Sequence, residues 1–431
     1  MLFTKNRQNK KVSMYIILIS IFCMFLFEGI DLYAASKNTF FAGTAKVKIT
    51  PETPIPMWGY GQRKGLFDGV HDDIYGRVIV FSNGQTQATL ISVEVLGIPN
   101  SFWQNFTELL TQETGINKDY IFLSAVHTHG GPLLAINNDT TIEIVNYTYQ
   151  LQKKLIGAVK EAIRNLIPVK IGAGKGESLM NINRRASNGN GRIILGMNPY
   201  GSCDHELGII RVDDLAGDPV SIILNWPCHA AVLGSGNYQI TGDWPGAASK
   251  FIEDKFGDQF VAPVTIGASG DINPMYTGSD FVKLRRYAKD AIGEDVSIKS
   301  LIISGEIKTL PANSISALQR VISFPLKENP INAYSYEVND SVLNVRLSAL
   351  KIGNIILTGV SGEVFNQISV KLRDLSPYKN TFMITHCNGM CGYLVTDDSY
   401  AAGGYEVTTT MAESGAEKAI IKNLLEMIND L

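Results

Sequence analysis

The chain of 431 residues is poor in the residue types that most often build metal knuckles and covalent cross-links, since it has only six histidines and five cysteines. No Cys-x2-Cys pair occurs, which argues against a structural zinc knuckle. The four cysteines outside the N-terminal region allow three two-bridge pairings, and the sequence does not choose between them. These cysteines, too few for a fold built on disulfides, are Cys203, Cys228, Cys387 and Cys391.

Charge is also scarce. Charged residues make up 18% of the chain, the formal net charge is −3, and no basic run lies outside the extreme N-terminus. Nucleic-acid binding would require a basic stripe, so the composition argues against a nucleic-acid partner. Hydrophobic residues make up 45%, which predicts a globular protein with a large buried core.

A long membrane-spanning run is absent as well. Residues 14–27 are apolar, but this segment is short against the roughly 20 residues that a span needs. It follows several basic residues and precedes the small cluster Ala34-Ala35-Ser36, a pattern typical of a secretory signal peptide. We predict that 1–36 are a signal peptide and that the protein is secreted or held at the cell surface. An uncleaved anchor is the alternative.

What is present is an alternation of strand-like and helical segments. The helices are predicted at 100–114, 141–166, 245–256 and 410–430. The strands are predicted at 44–50, 75–82, 86–96, 119–126, 169–176, 207–214, 220–226, 261–268, 299–309 and 340–360. The stretch 310–340, rich in Ser, Pro and Asn, is predicted to be a surface loop. The pattern indicates a mixed α/β fold with helices flanking mixed sheets.

Two of the six histidines stand together in IFLSAVHTHGG, where a buried strand would end. Side chains at i and i+2 of a strand share a face, so His127 and His129 are predicted to project together. Gly130 and Gly131 would let the backbone turn and leave space. This arrangement suits a metal site or an acid–base site. The alternative is a pair of half-buried histidines that bond to their neighbours.

Two further polar residues also follow predicted strands. VSIILNW runs into Pro227-Cys228-His229, and IILTGVSG runs into Glu363. Two histidines and one carboxylate are a common catalytic zinc set, which leaves a position for water. A buried structural role is the alternative for His229, and a helix N-terminal acid is the alternative for Glu363.

Longer motifs connect these residues. In chain order they are AGTAKVKITPETPIPMWGYGQRKGLFDGVHDDIYGRVIVF (42–81), SAVHTHGGP, NINRR, NWPCHAAVLG, ITGDWPG, GASGDINP, SGEVFNQI and GYLVTDDSYAAGGYEV. This ordered succession resembles the neutral/alkaline (non-lysosomal) ceramidase family. The resemblance implies that 37–431 form the catalytic domain of a zinc-dependent amide hydrolase, in which a water activated by zinc attacks the substrate carbonyl.

The resemblance also implies roles for individual residues. The zinc (Zn2+) ligands would be His127, His229, Glu363 and Tyr393. The groups that face the substrate carbonyl or the developing oxyanion would be His129, Arg184 and Tyr405. The substrate would be an N-acyl sphingolipid or a related amide, which a protein in peripheral contact with a membrane could reach.

Two features depart from the family pattern. Asn273 stands in GDINP where the family has a serine that is important for catalysis. An asparagine is not a nucleophile, but it can donate a hydrogen bond, so Asn273 is predicted to support catalysis. The family's C-terminal β-sandwich is not expected within this sequence. The alternatives are a hydrolase of another amide or ester, and a catalytically inactive binding protein on the same scaffold.

Overall fold

The computed structural model describes residues 39–135, 140–276, 282–327, 338–339 and 342–431. The predicted signal peptide, 1–36, lies outside them. The strands of a large sheet and of a second sheet make up most of the β structure. The large sheet contains β1 (Phe41–Lys48), β3 (Tyr75–Ser82), β4 (Gln87–Val93), β5 (Ile121–Ala125), β6 (Ile167–Glu177), β9 (Glu206–Asp214), β10 (Pro219–Trp226) and β12 (Val264–Ile266). The second contains β14 (Ile315–Pro325), β15 (Val338–Asn339), β16 (Val342–Ile352), β17 (Ile355–Val360) and β19 (Asn380–Ile384).

Both sheets are mixed. The large sheet has the order β12-β10-β9-β6-β1-β3-β4-β5, and the second has β14-β16-β17-β19, with β15 beside β16. Only the pairs β4–β5, β10–β12 and β17–β19 are parallel among the pairings of these two sheets. Parallel pairs bring strand ends together at one edge, and these three pairs lead into the candidate site.

Three small sheets complete the β structure. One joins β2 (Gly69–Val70) to β11 (Gln239–Ile240). Another has the order β13-β7-β8 and contains β7 (Asn181–Ser187), β8 (Ile193–Asn198) and β13 (Ile272–Pro274). The last joins β18 (Glu363–Val364) to β20 (Tyr393–Leu394). The small sheets β13-β7-β8 and β18-β20 carry most of the remaining side chains of the site.

The apolar faces of the two large sheets determine how the sheets and helices are layered. One cluster of buried residues joins the two large sheets face to face, with Phe81 and Val212 from one and Leu350 and Phe382 from the other. The outer faces are covered by helices. These helices are α1 (Asn100–Thr114), α2 (Ile142–Arg164), α3 (Asp243–Phe256), α4 (Val282–Glu306), α5 (Asn366–Leu375), α6 (Ser399–Ala402), α7 (Tyr405–Thr409) and α8 (Ala416–Asp430). The mixed sheets with flanking helices that the sequence predicts are therefore confirmed.

The predicted strand at 299–309 is wrong, because most of that segment is the end of α4. Its isoleucines resemble a strand locally, but tertiary packing decides otherwise. Gly172, Gly174 and Gly176 share one face of β6, and a Cβ on any of them would lie within 3 Å of Ile303 or Ile307. The glycines thus form a flat surface on which the helix docks closely.

The predicted loop at 310–340 is wrong over much of its described length. Residues 315–325 form β14, an edge strand that pairs with β16 over eleven residues, from Ile315↔Ile352 to Pro325↔Val342. Ile315 and Ala317 bury their side chains between the sheets. Ser and Pro in this segment fit an edge strand, where ladder hydrogen bonds are needed on one side only.

One short segment connects the two edges of the large sheet. Thr385 donates its backbone N–H to Ile266 of β12 at 2.9 Å, and Asn388 donates to Leu123 of β5 at 2.8 Å. The side chain of Asn388 also accepts from Leu123 N and donates to Ile121 O. The segment 385–388, which follows β19, therefore ties the second sheet to both edges of the first.

None of the helices among the described residues is long and apolar enough to cross a membrane.

We predict opposite effects for two glycine substitutions, one in the contact between β1 and α2 and one on the exposed face of α2. A Cβ on Gly43 would lie 2.0 Å from Ala162 O, so Gly43→Ala should lower the free energy of unfolding by about 1–3 kcal/mol through overpacking. Gly157 in α2 is exposed with open space around it. Gly157→Ala should therefore raise that free energy by about 0.4–1 kcal/mol. Denaturant unfolding measures both, and equal effects would contradict the packing described.

Candidate metal centre

His127 and His229 are each fixed by a hydrogen bond from the ring to the backbone. His127 Nδ1 lies 2.8 Å from Leu96 O, and His229 Nδ1 lies 2.7 Å from Ser269 O. A carbonyl only accepts, so each Nδ1 carries a proton, and in the neutral ring the lone pair is then on Nε2. This is the arrangement that holds metal-ligating histidines in proteins.

The histidines converge by a route other than the predicted strand alternation. β5 ends at Ala125, and His127 has a left-handed backbone with φ +58°. Thr128 then bridges to Ala230 next to His229, and the Nε2 atoms of His127 and His129 lie 3.4 Å apart. The prediction that these two side chains lie together is right, but the backbone turn creates it.

The prediction that Gly130 and Gly131 leave open space beside the histidines is wrong. A Cβ on Gly130 would lie 2.2 Å from Thr241 Cγ2, and a Cβ on Gly131 would lie 3.2 Å from Val95 Cα. The glycines therefore make room for the protein's own backbone and side chains and not for a ligand.

Glu363 and Tyr393 are positioned together by the parallel pairing of β18 and β20, in which they are direct partners. Residues that pair in register point to the same face. A Cβ on Gly270 would lie 2.7 Å from Glu363 O, so the GASGD loop packs directly on this strand. Backbone pairing and close packing thus fix a carboxylate and a phenol side by side.

Glu363 Oε2 lies 3.5 Å from His127 Nε2 and 3.4 Å from His229 Nε2. It is buried and has no hydrogen-bond partner among the described residues. Zinc–ligand distances of about 2.0–2.1 Å place two ligands of a tetrahedral ion about 3.3 Å apart. Two lone pairs and an unpartnered carboxylate oxygen at this spacing fit a metal ion.

Another combination of donors is His127, His129 and His229, whose ligand atoms lie within 4.8 Å of one another. This cluster is compatible with a metal ion. However, His129 Nδ1 is buried and has no hydrogen-bond partner within the part of the chain that the structure describes, so no carbonyl found there fixes its ring as it does the other two. This contrast favours Glu363 over His129 as the third ligand.

The charges of the centre follow from burial and neighbours. Burial, together with the nearby Arg184 cation, lowers the pKa of His229 to about 4. Lost hydration and the imidazoles of His127 and His229 hold the pKa of His129 well below its ordinary value. Burial raises the pKa of Glu363, but the histidines beside it outweigh burial and hold this pKa well below its usual range. His129 and His229 are therefore neutral and Glu363 is ionised at neutral pH, which are the forms that bind metal.

Arg184 lies across one side of the centre. Its Nη1 lies 3.1 Å from His229 Nε2 and 3.4 Å from Asn273 Oδ1, and its Nη2 donates to Tyr393 Oη at 3.1 Å. Asn273 and Tyr393 therefore both contact Arg184, and all three are site residues predicted from the sequence. Asn273 reaches this position because β13 pairs with β7.

His129 and Tyr405 lie toward the outside of the centre. His129 packs against the Tyr60 ring at 4.7 Å between centroids, and Tyr405 stands edge-on to Tyr393 at 5.8 Å. Tyr405 is 46% exposed, so this side of the centre reaches the protein surface.

Two neighbours of the centre carried only weak signals in the sequence. The His386 ring stacks on His127 at 3.8 Å between centroids, and His386 has a left-handed backbone with φ +51°. Glu406 is fully buried and bonds Arg184 and Arg185. The two-arginine run RR in NINRR was the available signal for Glu406, because two buried guanidinium groups require a carboxylate.

Loop acids and cysteines have structural roles here. Asp271 accepts the backbone and side-chain N–H groups of Asn366, and burial raises the pKa of Asp271 to about 6. Asp243, with a pKa raised to about 6 by burial, accepts backbone N–H groups. Within the described residues no disulfide joins any two of the four cysteines, so none of the two-bridge pairings that the sequence allows occurs.

The layered fold and the buried donors define an α/β protein with a candidate metal centre at the edge where parallel strands end. Residues 40–288 match the family model described as neutral/alkaline non-lysosomal ceramidase, N-terminal. The match covers more than half of the chain. This protein therefore belongs to the neutral/alkaline ceramidase family.

Curated relatives agree with this assignment. A neutral ceramidase of Oryza sativa subsp. japonica is 25% identical over 232 residues, which are 51% of this chain and 29% of the relative. Neutral ceramidase B of Dictyostelium discoideum is 25% identical over 296 residues, which are 62% of this chain and 41% of the relative. The matched region spans less than half the length of these relatives.

The fold matches solved structures over a longer range. The neutral ceramidase from Pseudomonas aeruginosa superposes with a TM-score of 0.75 at 17% identity, over 90% of this chain and 74% of that one. A ceramidase complexed with C2 superposes with a TM-score of 0.74 at 16% identity, over 90% of this chain and 75% of that one. These likenesses establish the fold.

We predict that His127→Ala and His229→Ala each reduce bound metal from about one ion per chain to near zero, because each removes a lone pair that the backbone holds in place. The matched control is His71→Ala, which removes a histidine whose ionic neighbour is Asp72. Elemental analysis after dialysis, with circular dichroism to check the fold, measures the effect. Full metal content in both variants would contradict the assignment.

Proposed function

We propose that this protein is a zinc-dependent amide hydrolase that cleaves an N-acyl lipid of the ceramide type or a closely related amide. The observation that carries the proposal is the buried, unpartnered Glu363 Oε2 that lies within 3.5 Å of the Nε2 atoms of His127 and His229. Nitrogen and oxygen donors of this kind suit zinc. Family membership supplies the reaction class, amide hydrolysis.

His127, His229, Glu363 and Tyr393 would hold the ion. When bound, zinc would supply Lewis acidity that polarises a carbonyl and lowers the pKa of a water to about 7. Tyr393 would join the ion from the strand position beside Glu363. Its burial, together with the Glu363 carboxylate, raises the pKa of Tyr393 well above its ordinary value, so its phenol is neutral before metal binds.

His129, Arg184 and Tyr405 would act on the substrate. His129 is neutral at pH 7, because its pKa is held low, and its unpartnered Nδ1 lets it move a proton from water to the leaving amine. Arg184 would stabilise the negative charge that develops on the carbonyl oxygen. The exposed Tyr405 would donate a hydrogen bond at the same oxygen or orient the substrate at the entrance.

Asn273 would support this chemistry without attacking the substrate. Its Oδ1 lies 3.4 Å from Arg184 Nη1, so the side chain orients the guanidinium and leaves its own N–H groups for the substrate. The asparagine therefore favours a route in which water is the nucleophile. Asn273 stands where the family has a serine, and the alternative is therefore a preferred substrate that is an amide or ester other than ceramide. The assay below separates the two.

We also propose that the protein acts outside the cytoplasm. The support is the signal-peptide pattern in 1–36, with its basic start, apolar core and small residues at 34–36. N-terminal sequencing of the secreted protein should begin near residues 35–37. Recovery of Met1 in a membrane fraction would favour the anchor instead.

We predict that the zinc-loaded protein releases a fatty acid and an amine from at least one N-acyl lipid or simple amide, because the centre carries ligands, an oxyanion donor and a proton carrier. The measurement is product mass in a screen of both substrate sets. Chelation should abolish turnover and zinc should restore it. A protein that binds zinc but turns over no amide or ester would instead be a binding protein on this scaffold.

We predict that Asn273→Ala lowers turnover modestly, in line with the loss of one hydrogen bond of about 1–3 kcal/mol. His129→Ala should cost more, about 10²–10⁴-fold, because it removes the proton carrier. Asn423→Ala, in α8 beside Arg320, is the matched control and should have no effect. Turnover of each variant on the identified substrate measures this. An inactive Asn273→Ala with a fully active His129→Ala would refute the assignment of roles.

A further inference from the structure

Two consecutive arginines of β7 reach the same carboxylate. Arg184 Nε donates to Glu406 Oε1 at 2.7 Å, and Arg185 Nη1 donates to Glu406 Oε2 at 2.8 Å. Neighbouring residues of a regular strand point to opposite faces. Here the register of β7 against β8 shifts between Asn183 and Arg185, and such a bulge re-aims side chains. The bulge in β7 thus allows both guanidinium groups to reach Glu406.

Glu406 is 0% exposed and lies in α7, directly after Tyr405. The backbone before it turns sharply, with φ +67° at Gly403 and +102° at Gly404. Arg185 closes this turn, since its Nη2 donates to Gly403 O at 2.7 Å. One buried carboxylate therefore connects the strand that carries Arg184 to the short helix that carries Tyr405.

Glu406 holds one end of the Arg184 guanidinium, and the other end faces the candidate centre. Nε is bound by Glu406, which leaves Nη1 toward His229 and Asn273 and Nη2 toward Tyr393. A planar guanidinium bound at Nε has little rotational freedom left. The direction of the two Nη groups is consequently set by Glu406.

We propose that Glu406 is a positioning residue that aims the Arg184 guanidinium at the reacting carbonyl and sets Tyr405 at the entrance of the site. The proposal rests on the proposed hydrolase function, because it assigns Arg184 and Tyr405 to the substrate. Glu406 itself contacts neither the donors of the metal centre nor open space in the described structure, so it acts through the arginine.

A comparable buried ion network provides the control. Glu253 accepts from Arg77 Nε at 2.6 Å and from Lys46 Nζ at 2.9 Å, so one buried carboxylate again joins two cations. Its hydrogen-bond partners include no residue of the candidate site. Glu253→Gln thus reports what the loss of such a carboxylate does to stability alone.

The first test needs neither zinc nor substrate. In a crystal structure of Glu406→Gln, the Arg184 guanidinium should leave its position, and its Nη2 should no longer lie within hydrogen-bond distance of Tyr393 Oη. Glu406→Asp keeps the charge and should retain the contact between Arg184 Nη2 and Tyr393 Oη. This variant replaces Glu406→Gln in the test if the glutamine variant does not fold. An unmoved Arg184 in Glu406→Gln would overturn the proposal, whatever the protein's substrate.

The second test uses the substrate found by the screen. Glu406→Gln should lower kcat by about 10- to 100-fold with KM nearly unchanged, at wild-type zinc content, and Glu406→Asp should recover most of the loss. Glu253→Gln should leave kcat unchanged. In an Arg184→Ala background, Glu406→Gln should lose most of its effect, since only its hold on the turn before Tyr405 remains. Additive losses, or equal losses in Glu406→Gln and Glu253→Gln, would refute the positioning role.

An inactive wild-type protein would instead refute the proposed function, and the crystallographic test would still decide on Glu406.

Discussion

Two hydrogen bonds from imidazole rings to backbone carbonyls determine what the centre of this protein can do. Leu96 O holds His127 Nδ1 at 2.8 Å, and Ser269 O holds His229 Nδ1 at 2.7 Å. Both Nε2 atoms then lie within 3.5 Å of Glu363 Oε2, a buried oxygen with no hydrogen-bond partner among the described residues. An unpaired buried acceptor is costly. A cation that binds all three atoms removes that cost, which is why the centre fits a metal.

The backbone that presents these groups is strained where it turns inward. His127 and His386 both have left-handed backbones, with φ of +58° and +51°, and their rings stack at 3.8 Å. Such a residue costs on the order of 1–3 kcal/mol and persists only when its surroundings hold it. The segment 385–388 provides that hold, because it hydrogen-bonds to both edges of the large sheet. The fold thus stabilises the backbone turns that present the site.

Much of this arrangement is predictable from the sequence, and the failures have physical causes. Periodicity locates the strand 75–82 and helix 100–114 as observed, and the motifs single out His127, His229 and Glu363, which the structure brings together. Periodicity fails at 299–309, where the docking surface formed by Gly172, Gly174 and Gly176 stabilises a helix. The direction of Arg184 is equally hidden, because it depends on a bulge and on Glu406, more than 200 residues away in the chain.

The most direct measurement of the central claim is anomalous X-ray scattering at the zinc edge from crystals of the zinc-loaded protein. One ion should appear between His127 Nε2, His229 Nε2 and Glu363 Oε2, each within bonding distance of about 2.0–2.2 Å. The absence of an ion there, or an ion bound by His129 while Glu363 stays free, would contradict the account.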